Sequence, residues 1–168
     1  MRSDRSACDA GPMIHLHEIG RTGCFAIFGR VFVPEIVLGE VLDEIVRGSI
    51  RGKKPFEVVP ARDIDKVSVE YTAHKYSLSI ADSSVLQCAR AKGVATVLTD
   101  DLGLREVSAV RGLRPVGSVG ILLRAFREGR LDRQGTLLSL DALMERSSLF
   151  ITPALINKAK EAVRQHKP

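Results

Sequence analysis

Five carboxylates in this chain are of the right type and in the right places to do chemistry. They are Asp9 in CDAGPMIHL, Glu40 in VFVPEIVLGEV, Asp82 in LSIADSSVLQCARAKG, and the adjacent Asp100 and Asp101 in ATVLTDDLGL. Each lies beside an apolar run, where a strand or helix begins or ends. Gathered at one point, such groups repel, and one or more is forced to hold a proton. Mg²⁺ or Mn²⁺ removes that conflict, because hard cations take oxygen ligands. Bound cations also polarise phosphoryl oxygens, and two ions about 4 Å apart can clamp an in-line displacement. The chemistry to expect is therefore divalent-metal chemistry on phosphate. Singly, each acid also has a plainer reading. Asp82 and Asp101 precede helical patterns and can cap them. Asp9 suits a turn, and Glu40 suits a helix surface.

The elements that must position these acids alternate along the chain. Short runs rich in Val, Ile and Phe read as strands at 24–28, 30–34, 56–60, 95–99 and 114–117. A still shorter one, SAC, precedes Asp9. Helical spacing marks 35–47, with Ile36, Val37, Val41 and Ile45 on its apolar side and Asp43 and Glu44 on its polar side. Further helices are expected over 83–92, 103–111 and 118–128, and a helical pair over 132–146 and 153–165. Alternation of this kind predicts a three-layer α/β/α sandwich with a mainly parallel central sheet. Working groups collect at the carboxyl ends of such strands. Asp9, Asp100 and Asp101 follow strands directly, and Glu40 and Asp82 arrive on helices.

Composition narrows the class. With 168 residues, 45% hydrophobic and 27% charged, the chain has enough apolar side chains to build one core. No repeat or linker divides it, so one domain over 1–168 is expected, with a helical C-terminal extension from about 132. There is no Trp and few aromatics, which argues against a base-stacking platform for single strands. Cys8, Cys24 and Cys88 are odd in number and lack metal-ligand spacing, which suits reduced thiols and excludes a zinc motif. The first residues hold no apolar stretch of signal-peptide length, and no run is long enough to cross a membrane. A cytoplasmic protein is the expectation. A net charge of +5 suits an anionic partner only if the acids are clustered and the bases dominate the rest of the surface.

DAGPMIHL, VPEIVLGEV, ADSSVLQCARAKGVATVLTDDLGLREVSA and GSVGILLRAFREGRL, in this order, resemble a PIN domain. That group includes the VapC-type toxins of prokaryotic toxin–antitoxin pairs. The resemblance runs from about residue 6 to the C-terminus. It implies a Mg²⁺- or Mn²⁺-dependent ribonuclease, often a homodimer, opposed by a small antitoxin protein. It places Asp9, Glu40, Asp82 and Asp101 in the family's acidic quartet. It gives Asp100 an assisting place at the metal, Thr99 the place of a polar residue beside it, and Arg105 that of an arginine after the acidic pair. Arg105 can equally pair with Asp101 at helical spacing. Three departures stand out. The first strand is unusually short, Asp82 replaces a longer glutamate, and Gly11 stands where many members carry Ser or Asn.

The loop containing Arg51, Lys53 and Lys54 reads either as a basic lip for RNA phosphates or as a solvated charge run. Arg124, Arg127, Arg130 and Arg133 form a second basic group near a helix end. His15 and His17 fall on different sides of a helix and form no metal pair, and both read as structural or surface residues. No Ser-His-Asp arrangement or P-loop is present. Two other classes compete with the metal-dependent RNA phosphodiesterase. One is a catalytically silent RNA- or protein-binding module on the same fold. The other is a phospho-acceptor domain, which lacks a placeable lysine.

Overall fold

Strand β1 (Arg5–Cys8) is only four residues long, yet it occupies the middle of the sheet. The computed structural model describes residues 4–41 and 44–166. Within them β1, β2 (Arg30–Pro34), β3 (Phe56–Val59), β4 (Thr96–Leu98) and β5 (Arg114–Val116) form one sheet in the order β3-β2-β1-β4-β5. Every pairing is parallel, with Ser6 opposite both Val31 and Thr96. Three inner residues of β1, Ser6, Ala7 and Cys8, are wholly buried. Its shortness is tolerated because neighbours on both sides satisfy its backbone.

The chain builds outward from β1 to β2 and β3, then returns to add β4 and β5 on the other side. The connection order therefore reverses between β1 and β4. In open parallel sheets a crevice forms there, outside the carboxyl ends of the strands. Helices cover both faces. Helix α5 (Ile80–Lys92) lies across β1, β2 and β4, with α4 (Lys66–Tyr76) packed outside it. Helices α1 (Ala10–Glu18) and α7 (Ser118–Arg127) pack together, with α8 (Arg133–Arg146) and α9 (Pro153–Gln165) against α7. The layered sandwich expected from the alternation is the fold observed, and the sheet is parallel throughout. No helix among the described residues is long and apolar enough to cross a membrane. Cys8, Cys24 and Cys88 are all free and buried.

Three local expectations need correction. The run at 24–28 is not a strand but part of a 3₁₀ turn, Thr22–Ile27. Its buried residues, Cys24, Phe25, Ile27 and Phe28, recur every three positions rather than alternating. The helix expected over 35–47 is two helices, α2 (Glu35–Glu40) and α3 (Glu44–Ile50). Val41 turns to an extended backbone at ψ 96°, so the apolar periodicity does not carry through. Ile36 and Ile45, expected in the core, are consequently exposed, Ile45 by 72%. Asp43 lies outside the described residues. Helix α4 was not expected at all, since its sequence KVSVEYTAHKY shows almost no amphipathic bias.

Candidate functional site

Asp9 is the first residue after β1, and its side chain is only 7% exposed. It caps α1, taking the Ala10 N–H on Oδ1 at 2.7 Å. Its Oδ2 accepts from the Thr99 hydroxyl at 3.0 Å. Thr99, fully buried just beyond β4, accepts the Asp101 N–H on the same hydroxyl at 3.1 Å. One hydroxyl thus ties the acid leaving β1 to the backbone of the acid leaving β4, across the crevice.

Asp101 caps α6 (Leu102–Val110), accepting the Leu104 N–H at 2.7 Å, and stays exposed. Asp82 is not the cap of α5 but its third residue. Ser79 is the cap: it accepts the Asp82 N–H at 3.0 Å and donates its hydroxyl to Asp82 Oδ2 at 2.7 Å. This reciprocal capping pair fixes the carboxylate at the helix's positive end. Glu40 closes α2, which packs against α5.

The acids influence one another. Burial, joined by the charges of Asp82 and Glu40, raises the Asp9 carboxyl to about 6 against the hydrogen bonds from Ala10 and Thr99. Glu40 is also raised, by partial burial and then by the charge of Asp82. Beneath them burial lifts the Cys8 thiol well above its usual range, helped by Asp9 and Asp100, so it remains a neutral floor.

Asp100 behaves differently from what was expected of it. Its Oδ1 accepts the Ser118 N–H at 2.7 Å. Its Oδ2 accepts the Ser118 hydroxyl at 2.5 Å and pairs with His15 Nδ1 at 2.8 Å. Burial works to raise its pKa, but these hydrogen bonds outweigh it and hold the carboxyl below its usual value. The residue expected to assist at a metal therefore has both oxygens already committed. It joins α1, β4 and α7 into one block. His15, which the sequence presents as a structural or surface residue, is the α1 end of that block. A histidine two turns beyond an acid-capped helix start, combined with Asp-Asp after a strand, was the available signal.

Glycines clear the space. A Cβ at Gly117 would stand 2.6 Å from Asp100 Oδ1 and 3.1 Å from Arg105 Nη1. A Cβ at Gly11 would meet His15 and Asp100 at ordinary contact distances. Arg105 does not pair with Asp101; its Nη1 donates to the Thr99 carbonyl at 3.2 Å. It supports the turn that carries all three of Thr99, Asp100 and Asp101.

The sequence-selected acids thus meet at one edge of the sheet, but they do not close into a cage. Among the described residues no three Asp, Glu, His or Cys side chains are arranged to hold a metal ion. The donor chemistry nevertheless suits a hard cation. Every candidate donor is a carboxylate oxygen, and the most buried carboxylate, Asp9, is strained by burial and then by its neighbours' charge, although each of its oxygens accepts one hydrogen bond. Arg51, Lys53 and Lys54 stand elsewhere. Their loop leads into β3 at Phe56, so they lie at the amino edge, opposite the crevice.

Residues 6–165 match a family model described as a PIN domain. No curated protein and no solved structure matches the chain.

Proposed function

This chain belongs to the PIN-domain family, and from that premise we propose that it is a metal-dependent endoribonuclease. The supporting observation is Asp9: a nearly buried carboxylate, raised to about 6, with Asp82 and Glu40 adding like charge. A fold that keeps an acid under such strain at a sheet switch point has a use for a cation there.

Asp9, Glu40, Asp82 and Asp101 would hold Mg²⁺ or Mn²⁺. When bound, such a cation polarises a phosphoryl oxygen and offsets the charge that develops as a phosphodiester is cleaved. The chain's own residues prepare the site. Thr99 keeps Asp9 and Asp101 in register across the crevice. Ser79 fixes Asp82 on the first turn of α5. Asp100, His15, Ser118 and Arg105 hold the β4 turn rigid. Arg51, Lys53 and Lys54 can contact only the outlying backbone of a long RNA that wraps the β3 edge.

The biological reading follows the family. The protein would act in the cytoplasm as a homodimeric toxin, silenced by a small antitoxin protein encoded nearby.

Purified protein should cleave RNA with Mn²⁺, and cleavage should stop with EDTA and in Asp9→Asn and Asp101→Asn. Absence of cleavage sinks the proposal and leaves a silent binding module on a PIN fold, and cleavage surviving both substitutions sinks the acidic site as the catalytic one. Inhibition by the product of an adjoining small gene would support the toxin role.

A further inference from the structure

The chain has two tyrosines and no tryptophan. Both tyrosines sit in the second half of α4, around one cation. Lys75 Nζ lies 5.7 Å from the centre of the Tyr71 ring and 5.3 Å from that of Tyr76, inside the range of cation–π attraction. Tyr71 is 64% exposed, Lys75 is exposed and Tyr76 is half-buried, so the group lies at the surface with Tyr71 and Lys75 facing solvent. His74 adds a second polar ring on the same last turn.

The position of this group matters as much as its chemistry. Helix α4 ends at Tyr76, with Ser77 in the left-handed conformation at φ 53°. The chain turns sharply there and enters α5. Leu78, two residues after Tyr76, approaches Gly103: a Cβ on that glycine would be 3.6 Å from Leu78 Cδ2 and 3.3 Å from Asp101 Oδ1. Ser79 then hydrogen-bonds Asp82. The turn that follows the tyrosines therefore touches the neighbourhoods of two candidate catalytic carboxylates. The helix pairing gives the same placement from the other end, since Gln87, in the second half of α5, donates to the Ser68 carbonyl near the start of α4 and to the Thr72 hydroxyl in its middle. The two helices are antiparallel, and the tyrosine end lies at the crevice edge.

Aromatic faces beside a cation match a flexible polynucleotide. Bases stack on the rings whatever their sequence, and the ammonium takes a phosphate. A base-paired duplex cannot present its faces in this way. We propose that Tyr71, Lys75 and Tyr76 form a subsite for single-stranded RNA beside the acidic crevice. The subsite rests on the ribonuclease reading for its purpose, but its binding can be measured apart from catalysis.

Tyrosine fluorescence reports on this subsite alone, because the chain has no other tyrosine and no tryptophan. Titrating a short oligoadenylate into the full chain in EDTA should quench that fluorescence saturably. A self-complementary duplex of the same length should compete poorly. By anisotropy of a labelled oligoadenylate, Tyr71→Ala and Lys75→Ala should weaken binding roughly five- to a hundredfold, and Tyr71→Phe should restore it. These side chains are exposed, so the variants should fold, which circular dichroism checks. Asp9→Asn should bind like wild type while failing to cleave. Binding without any cleavage in wild type would remove the ribonuclease reading and keep the subsite. Absence of quenching, or unchanged affinity in Tyr71→Ala and Lys75→Ala, would overturn the subsite. So would a Tyr71→Ala effect confined to the sedimentation coefficient, which would make this face a contact between two copies of the chain.

Discussion

Asp9 and Asp100 leave neighbouring strands at the same edge of the sheet, and both side chains are largely shielded from water. Their acidities nevertheless move in opposite directions. Asp9 receives two hydrogen bonds and faces like charge, and burial wins. Asp100 receives three, one of them from His15, and the donors win. The difference separates two roles that the sequence presents as a single cluster. One carboxylate is left in want of positive charge, and the other spends its charge on fastening α1 and α7 to the end of β4. Where donors are supplied, the acid is part of the frame. Where the donors are too few to offset burial and like charge, it is available for chemistry.

Metal affinity should expose the contrast most strongly. Loss of even an outer partner of a metal site usually costs 10- to 100-fold in affinity, so Asp9→Asn should weaken Mn²⁺ binding by about a hundredfold or more. Asp100→Asn should cost less than about tenfold, since its oxygens are already engaged. Isothermal titration calorimetry with Mn²⁺ gives both numbers. Equal losses would return Asp100 to the metal ligands and dissolve the distinction.

Stability without metal should show the same contrast with opposite signs. The folded pKa of Asp9, about 6, lies above its ordinary value of 3.8. Between those values the folded state holds more protons than the unfolded state, so stability falls as pH rises from about 4 to about 6. Above pH 6 the full penalty of about 3 kcal/mol applies. Asp100 has a lowered folded pKa. Its contribution is present above the ordinary carboxylate value and is lost as pH falls through and below it. In EDTA at pH 7, Asp9→Asn should therefore gain about 1–3 kcal/mol. Asp100→Asn should lose about 1–3 kcal/mol, because an amide cannot accept from all three donors. Urea unfolding across pH 4–7 measures both, and a loss in both variants would mean that Asp9 is also part of the frame.

Much of this arrangement was legible in the sequence because strand ends carry strong signals. An apolar run followed by an acid and a helix start located Asp9 and Asp101, and the alternation of elements fixed a parallel sheet. What stayed hidden depends on long-range contact. His15 and Asp100 are 85 residues apart, and nothing in either local sequence names the other. Helix α4 was missed because its stability comes from packing on α5, including the Gln87–Thr72 hydrogen bond of 2.8 Å, rather than from an apolar stripe. Sparse aromatics argue against a stacking surface for single strands, yet a single helix, α4, sets both tyrosines around Lys75. Counting residues gives an average, and a binding surface needs only a local concentration.

Gly117 offers the most local test of the frame. It precedes α7 with φ −90°, a backbone conformation open to any residue, so its requirement is purely spatial. A methyl group there would press against Asp100 Oδ1 at 2.6 Å and crowd the Arg105 guanidinium at 3.1 Å. The carboxylate cannot retreat without giving up Ser118 or His15, and the guanidinium cannot retreat without leaving the Thr99 carbonyl. Gly117→Ala should therefore destabilise the protein by about 1–3 kcal/mol, the usual cost of overpacking. It should also disturb the Thr99 turn more than the α5 end of the crevice. Amide hydrogen exchange can read that asymmetry, with faster exchange expected at Asp101 and Leu104 and unchanged exchange at Asp82 and Ser83. Uniform acceleration across both groups would mean that the frame and the strained carboxylates share one cooperative unit, and the division drawn from Asp9 and Asp100 would then be electrostatic only.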